Sequence, residues 1–171
     1  IEKKMGIKGS GTCILNFDDA EGYLIGEENK GLAAMFTMMN AERITVGIQG
    51  LGFADIAYQN AKDYAQERRH SRVPGVKQTN KKADLIIEQP EIKRMLLRMR
   101  SQIEGGRALA TYVGYHVDVM QKSKDQSSKQ RADNIVSLLT PVVKCYLSDL
   151  GMESSLNAQQ VFGGHGYVHD Y

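Results

Sequence analysis

Cysteine is scarce: Cys13 and Cys145 are the only two, far apart, with no second cysteine or histidine at ligand spacing. That pattern excludes a disulfide framework and a cysteine-based zinc site, and it fits a reducing compartment. An excess of charge of one sign is also missing, because 22 basic residues against 20 acidic ones leave a net charge of +2. So small an imbalance argues against nucleic acid or a membrane surface as the main partner. No apolar run approaches the roughly 18 residues that a transmembrane helix needs. Proline occurs three times, first at Pro74, so nothing of that kind interrupts a helix in the residues before it. What is present, 42% hydrophobic and 25% charged residues in 19.0 kDa, is ordinary composition for one domain with a real core. The chain starts at Ile1 rather than methionine, and it reads as a processed or excised piece, so that any native targeting segment is out of view.

The longest stretch that reads as one helix runs from Lys30 to Arg69, with Glu27 and Glu28 ahead of it to suit the positive end of the helix dipole. Met35, Met38, Met39, Leu51, Ala54, Tyr58, Ala61 and Ala65 recur at helical spacing and form its expected buried stripe. Glu42 and Arg43 lie near its start and Arg68 near its end. At about 1.5 Å per residue the two ends are about 39 Å apart, too far to serve one small ligand. Before this helix, Thr12, Ile14, Leu15 and Phe17 are strand-prone within Ile7 to Asp19. So short a β segment is unstable alone, so it is expected to pair with strands outside this chain.

After the long helix, Arg69 to Asp84 shows no period and reads as an exposed loop. Its Arg72, Lys77, Lys81 and Lys82 suit either a phosphate grip or, more commonly, a solvated basic surface. Pro90 fits the first position of a second helix. From there Ile92, Leu96, Met99, Ile103, Gly106, Ala110, Val113, Val117 and Met120 alternate spacings of four and three, a helix-packing seam that is closest at Gly105 and Gly106. A polar loop is expected over Lys122 to Lys129 and a third helix from about Arg131 to Leu150. Its expected inward face is Ile135, Leu138, Leu139, Val142, Val143, Tyr146 and Leu150, with a kink at Pro141. A short fourth helix is expected from about Glu153 to Phe162. It ends in Gln160-Val-Phe-Gly-Gly-His-Gly-Tyr167, where three glycines fall within four positions. Successive glycines let backbone N–H groups approach an anion or flat ring, and they also simply end helices.

Met5-Gly-Ile-Lys-Gly-Ser10 and the segment to Phe17, Gly26-Glu-Glu-Asn-Lys-Gly31, Glu42-Arg43-Ile44, Glu67-Arg68 and Gln160-Val-Phe-Gly-Gly164 occur here in a fixed order. In that order and spacing they resemble the acyl-CoA dehydrogenases over nearly the whole chain. Lys30 to Arg43 and Ala57 to Glu67 look most like the longer bacterial branch that includes 3-methylthiopropanoyl-CoA dehydrogenases. The resemblance implies a mainly α fold, an antiparallel four-helix bundle preceded by a short β segment. Residues 1–25 would be the tail of the middle β domain, and residues 26–171 the C-terminal helical domain, truncated at its end.

By the same resemblance, the reaction is oxidation of an acyl-CoA thioester to the 2,3-enoyl-CoA with hydride transfer to FAD and onward transfer to an electron-acceptor protein. Arg68, Gln160, Val161, Phe162, Gly163 and Gly164 match the positions that meet a neighbouring subunit's FAD, which implies a homodimer or homotetramer. Asn40 and Arg43 match the part of the long helix that lines the acyl-CoA pocket. Most members place the catalytic glutamate beyond the position of Tyr171; a minority place it at Glu42, which is the candidate base here. The implied setting is the bacterial cytoplasm, with no membrane span, nucleic acid or metal, and the piece by itself is expected to be inactive. The sequence departs from the family after Arg68, where Arg69-His-Ser-Arg72 and a long basic loop replace the usual phenylalanine and glycine, and at Pro90, where many members have glutamine. The competing reading is a non-catalytic helical assembly module derived from the same fold.

Overall fold

The computed structural model describes residues 1–75 and 80–170. Its regular structure is three long helices: α1 (Gly31–Glu67), α2 (Pro90–Lys122) and α3 (Gln126–Phe162). A 3-10 turn, Ile86–Glu88, precedes α2, and a 3-10 segment, Gly163–Tyr167, follows α3. By compactness the chain divides into Ile1–Met35 and the part from Phe36 onward.

In the first unit the expected β segment is absent: among the described residues no strand forms over Ile7 to Asp19. Ile14, Leu15 and Phe17 are exposed. Glu2 N–H donates to Thr12 O at 2.7 Å and Ser10 N–H to Ile7 O at 3.2 Å, bonds of turns rather than of a ladder. A strand-prone sequence without a partner strand has nothing to pair its backbone with, so propensity alone does not make a strand here.

In the second unit, α1 follows its expected bounds to within two residues, but its stripe is buried only from Gly47 onward. Met38 is exposed and Met39 half-buried, because the apolar period extends beyond the region that α3 covers. The cause of the tight fit further on is glycine. A Cβ on Gly50 would stand 2.3 Å from the Leu147 carbonyl oxygen, and one on Gly151 would stand 2.7 Å from that of Gly50. Thus α1 and α3 cross backbone to backbone. Gly106 admits α2 to the same layer, since a Cβ there would lie 2.9 Å from Leu147 Cδ2 and 3.2 Å from side chains of Leu51 and Leu150. Gly105, expected to share that role, faces open space. Every other position of the α2 seam is buried or half-buried, as its spacing predicts.

The third and fourth expected helices are one. Asp125 caps α3 by accepting from the Ser127 and Ser128 amides, so the helix begins at Gln126 and the expected loop shrinks to a short turn. α3 continues through Pro141, which is exposed, and through Gly151, which is held against Gly50. Its inward face is also rotated from the expected one. Leu138, Val142 and Tyr146 are exposed, whereas Thr140, Leu147, Ser154 and Ala158 are buried with Val143, Leu150 and Val161. Between α2 and α3, Arg98 pairs with Glu153 at 2.6 Å. Gln126–Tyr167 is long and apolar enough, at a hydropathy of 1.3, to cross a membrane by length and composition. One face of α3 is instead buried in this helical core.

Candidate functional site

At its last turn α1 hands the chain to a mostly exposed loop, as expected, whose described ends, 68–75 and 80–86, are tied together as the two arms of a hairpin. Arg69 and Leu85 form an antiparallel bridge. Ile86 N–H donates to Arg68 O at 2.8 Å, His70 N–H to Asp84 O at 3.0 Å, and Asp84 N–H to Ser71 O at 2.9 Å. Asp84 is buried, accepting from Val73 N–H at 2.9 Å and from Arg72 Nη1 at 3.0 Å. The Val73 amide, working against burial and aided by Arg72 and Arg69, holds this carboxyl below its ordinary value. Arg69 donates to Ala83 O at 3.1 Å, and Arg72 also reaches Lys81 O. These arginines serve the hairpin, so of the expected basic cluster Lys81 and Lys82 are left as exposed side chains, and Lys77 lies outside the described residues.

The other side of the site is the end of α3. Gly163 caps it with φ of 59°, a conformation that favours glycine. Tyr64 of α1 holds this turn, stacking on Phe162 at 4.3 Å between centroids and sharing a 2.8 Å hydrogen bond with His165 Nδ1. With Tyr64 as donor, the imidazole proton resides on Nε2. Gln159 Nε2 donates to Gly166 O at 3.0 Å, and a Cβ on Gly166 would stand 2.5 Å from Gln159 O, so the turn lies flat against its own helix. Gly163 and Gly164 have nothing within 4 Å on the side where a Cβ would be, so their backbone stays approachable.

Between hairpin and turn lies a cavity of about 540 Å³. Arg68, Gln160, Val161, Phe162, Gly163 and Gly164, six positions separated by more than ninety residues of chain, all line it. The Arg68 side chain is exposed and has no hydrogen bond or ion pair among the described residues, so neither Glu67 nor Asp63 occupies its guanidinium. Tyr64, His70, Ile86, Gln89, Ile92 and His165 complete the lining. Sequence reasoning missed these. Tyr64 is one turn before Arg68 and therefore on its face, a signal that was available; His70 and Ile86 arrive only through the hairpin.

Asn40, Glu42 and Arg43 are not brought to this cavity. They sit early in α1, which is continuous to Glu67, so the separation of about 39 Å from Arg68 stands. Arg43 Nη1 donates to Asn40 Oδ1 at 3.0 Å and its guanidinium lies 5.7 Å from the Phe36 ring centroid. Glu42 is exposed.

A family model described as the acyl-CoA dehydrogenase C-terminal domain matches residues 29–171. The chain is 40% identical over 171 residues to 3-methylmercaptopropionyl-CoA dehydrogenase of Ruegeria pomeroyi, covering 99% of this chain and 28% of that protein. It is 36% identical over 181 residues to a butyryl-CoA dehydrogenase of Syntrophomonas wolfei, covering all of this chain and 29% of the relative. Among solved structures it resembles butyryl-CoA dehydrogenase from Megasphaera elsdenii with a TM-score of 0.65 at 27% identity, over 85% of this chain and 32% of that one. The chain therefore spans under a third of the length of these relatives. The matched residues include all three helices and the cavity between the hairpin and the glycine turn: this chain belongs to the acyl-CoA dehydrogenase family, as its C-terminal helical domain.

Proposed function

We propose that this chain forms the helical part of a flavin-dependent acyl-CoA dehydrogenase, in which an acyl-CoA thioester is oxidised to the 2,3-enoyl-CoA, and that its cavity holds the phosphate-bearing part of FAD. The observation that carries this reading is the convergence of Arg68 with Gln160 to Gly164 on one cavity. FAD, when bound, supplies the hydride acceptor. The residues fit it. An unpaired guanidinium fork matches a pyrophosphate, Gly163 and Gly164 leave open space where side chains would stand, so a ligand can come close to the chain there, and Ile86, Ile92 and Phe162 provide an apolar wall.

The distance along α1 extends the reading. Asn40 and Arg43 position the acyl-CoA at one end and Arg68 the cofactor at the other, so two different flavins are served and a neighbouring copy of the protein is required. The assembly is a homodimer or homotetramer in the bacterial cytoplasm, reduced flavin passes its electrons to an acceptor protein, and residues 1–25 belong to the preceding middle domain. Glu42 is the candidate base for the α proton. It is exposed to solvent here, and the chain by itself is expected to be inactive.

The test is an FAD titration of the intact protein and of its Arg68→Ala variant, with helical circular dichroism as the control. Removing one charge-assisted contact should weaken FAD binding about tenfold at unchanged helicity; equal affinity overturns the cofactor assignment. An intact protein that stays colourless and binds no FAD would instead identify a helical assembly module. Acyl-CoA-dependent dye reduction that is lost in Glu42→Gln places the base on α1; activity retained in that variant removes Glu42 from the role.

A further inference from the structure

Asp84 is the one charged side chain that is buried among the described residues, and the chemistry proposed above gives it nothing to do. A carboxylate taken out of water is costly unless every lone pair is answered. Here the answers come from the other arm of the hairpin: Val73 N–H at 2.9 Å on one oxygen and Arg72 Nη1 at 3.0 Å on the other. Its own backbone makes the two central cross-chain bonds, with His70 N–H and Ser71 O. Arg72 is half exposed while Asp84 is fully enclosed, so the acid is the fixed point of the pair.

The two arms carry four of the cavity's lining residues, Arg68 and His70 on one and Ile86 and Gln89 on the other. We propose that Asp84 is a positioning residue for the cofactor cavity: its buried carboxylate clasps the hairpin after α1 and so holds Arg68 and His70 opposite Ile86 and Gln89. The inference rests on the cofactor reading of that cavity and names what orders its rim. Asp84 itself stays behind the rim, because it is not among the lining residues and its oxygens are spent on Val73 and Arg72. The same account explains why Arg69 and Arg72, both close in sequence to Arg68, leave it as the guanidinium available to a ligand. Arg69 is turned to Ala83 O and Arg72 to Asp84.

The experiment compares wild type, Asp84→Asn, Arg72→Gln, Arg68→Ala and the Asp84→Asn/Arg68→Ala double variant in the intact protein, with two readouts. Amide hydrogen exchange without FAD should speed up about tenfold at His70, Asp84 and Ile86 in Asp84→Asn, with the exchange of α2 and α3 unchanged. The FAD dissociation constant should rise about tenfold in Asp84→Asn and about threefold in Arg72→Gln, while acyl-CoA KM at saturating FAD stays at the wild-type value. If the acid acts through the rim, its effect on FAD should shrink to about threefold or less in the Arg68→Ala background. A penalty that stays tenfold there marks a merely structural role and overturns the inference, as does faster exchange with unchanged FAD affinity. Arg68→Ala losing FAD while Asp84→Asn and Arg72→Gln do not also overturns it, and leaves the cofactor reading intact. Unchanged FAD affinity in Arg68→Ala overturns the cofactor reading, and this inference with it. Should Asp84→Asn fail to fold, Arg72→Gln decides by the same two readouts.

Discussion

Gly50 and Gly105 are both helical glycines, yet only one is required by its surroundings. A methyl group on Gly50 would enter the backbone of α3, where Leu147 O is 2.3 Å away and nothing flexible is available to yield. Gly50→Ala is therefore expected to cost about 3 kcal/mol, read from the urea midpoint. Gly105→Ala meets open space and should gain about 0.5–1 kcal/mol from helix propensity. Equal behaviour of the two variants would contradict the backbone crossing. Asp84 and Asp125 both contribute to the acid limb of stability, beside Glu91, which its hydrogen bond from Arg94 holds low. Asp84 is held below the ordinary 3.8 first by the Val73 amide, and Asp125 by hydrogen bonds from Ser128 and Ser127. Each folded value lies below the unfolded one, so each contribution is complete above about pH 3.8 and is lost as pH falls through the folded value. Asp125→Asn should flatten the decline of Tm below pH 4 and lower Tm at pH 7; a parallel acid limb in the variant would refute this. Neither relation was legible beforehand. Apolar period marks a stripe, but which glycine sits at the crossing, and which acid is enclosed, depend on the neighbouring helix.

At the scale of elements, α2 follows directly from its sequence, because Pro90, the four-three alternation and the polar end at Lys122 agree with one another. α3 does not. Its Pro141 and Gly151 read as a kink and a break, and its apolar residues surround much of the helix, so several faces compete as the inward one. Tertiary packing chose the small-residue face, with Gly151, Ser154 and Ala158, because only that face permits the approach to α1. Since Pro141 is exposed and makes no core contact, it contributes only its helix penalty. Pro141→Ala should stabilise the chain by about 1–3 kcal/mol, seen as a rise in Tm; a fall in Tm would mean that the proline shapes the helix in a way the fold uses.

For the molecule as a whole, the seam on α2 and the apolar faces of its neighbours both offer surface for association. That seam is spent inside the helical core. Exposed apolar side chains remain elsewhere on the second unit, among them Ile48, Phe53 and Ile56 on α1, and Leu138, Met152 and Leu156 on α3, each about half or more exposed. A surface of this kind drives self-association. Light scattering of the chain at high concentration should give a mass above 19.0 kDa, and Phe53→Asp with Met152→Asp should restore the monomer; a clean monomer without substitution would count against it.

The sequence by itself determined the helical class, the bounds of α1 and the start of α2, the whole α2 seam and, through its motifs, the family. These are local quantities: helical period, proline at a first turn, residue types in order. It also singled out Arg68 and Gln160 to Gly164, which one cavity then gathered. Only the tertiary structure decided that the third and fourth helices are continuous, that no strand forms over the β segment among the described residues, and that the described arms of the basic loop meet across Asp84. The physical reason is common to all three. A backbone break, a strand pairing and a buried charge are each settled by the atoms that lie opposite, and those atoms come from parts of the chain distant in sequence or from no part of this chain at all.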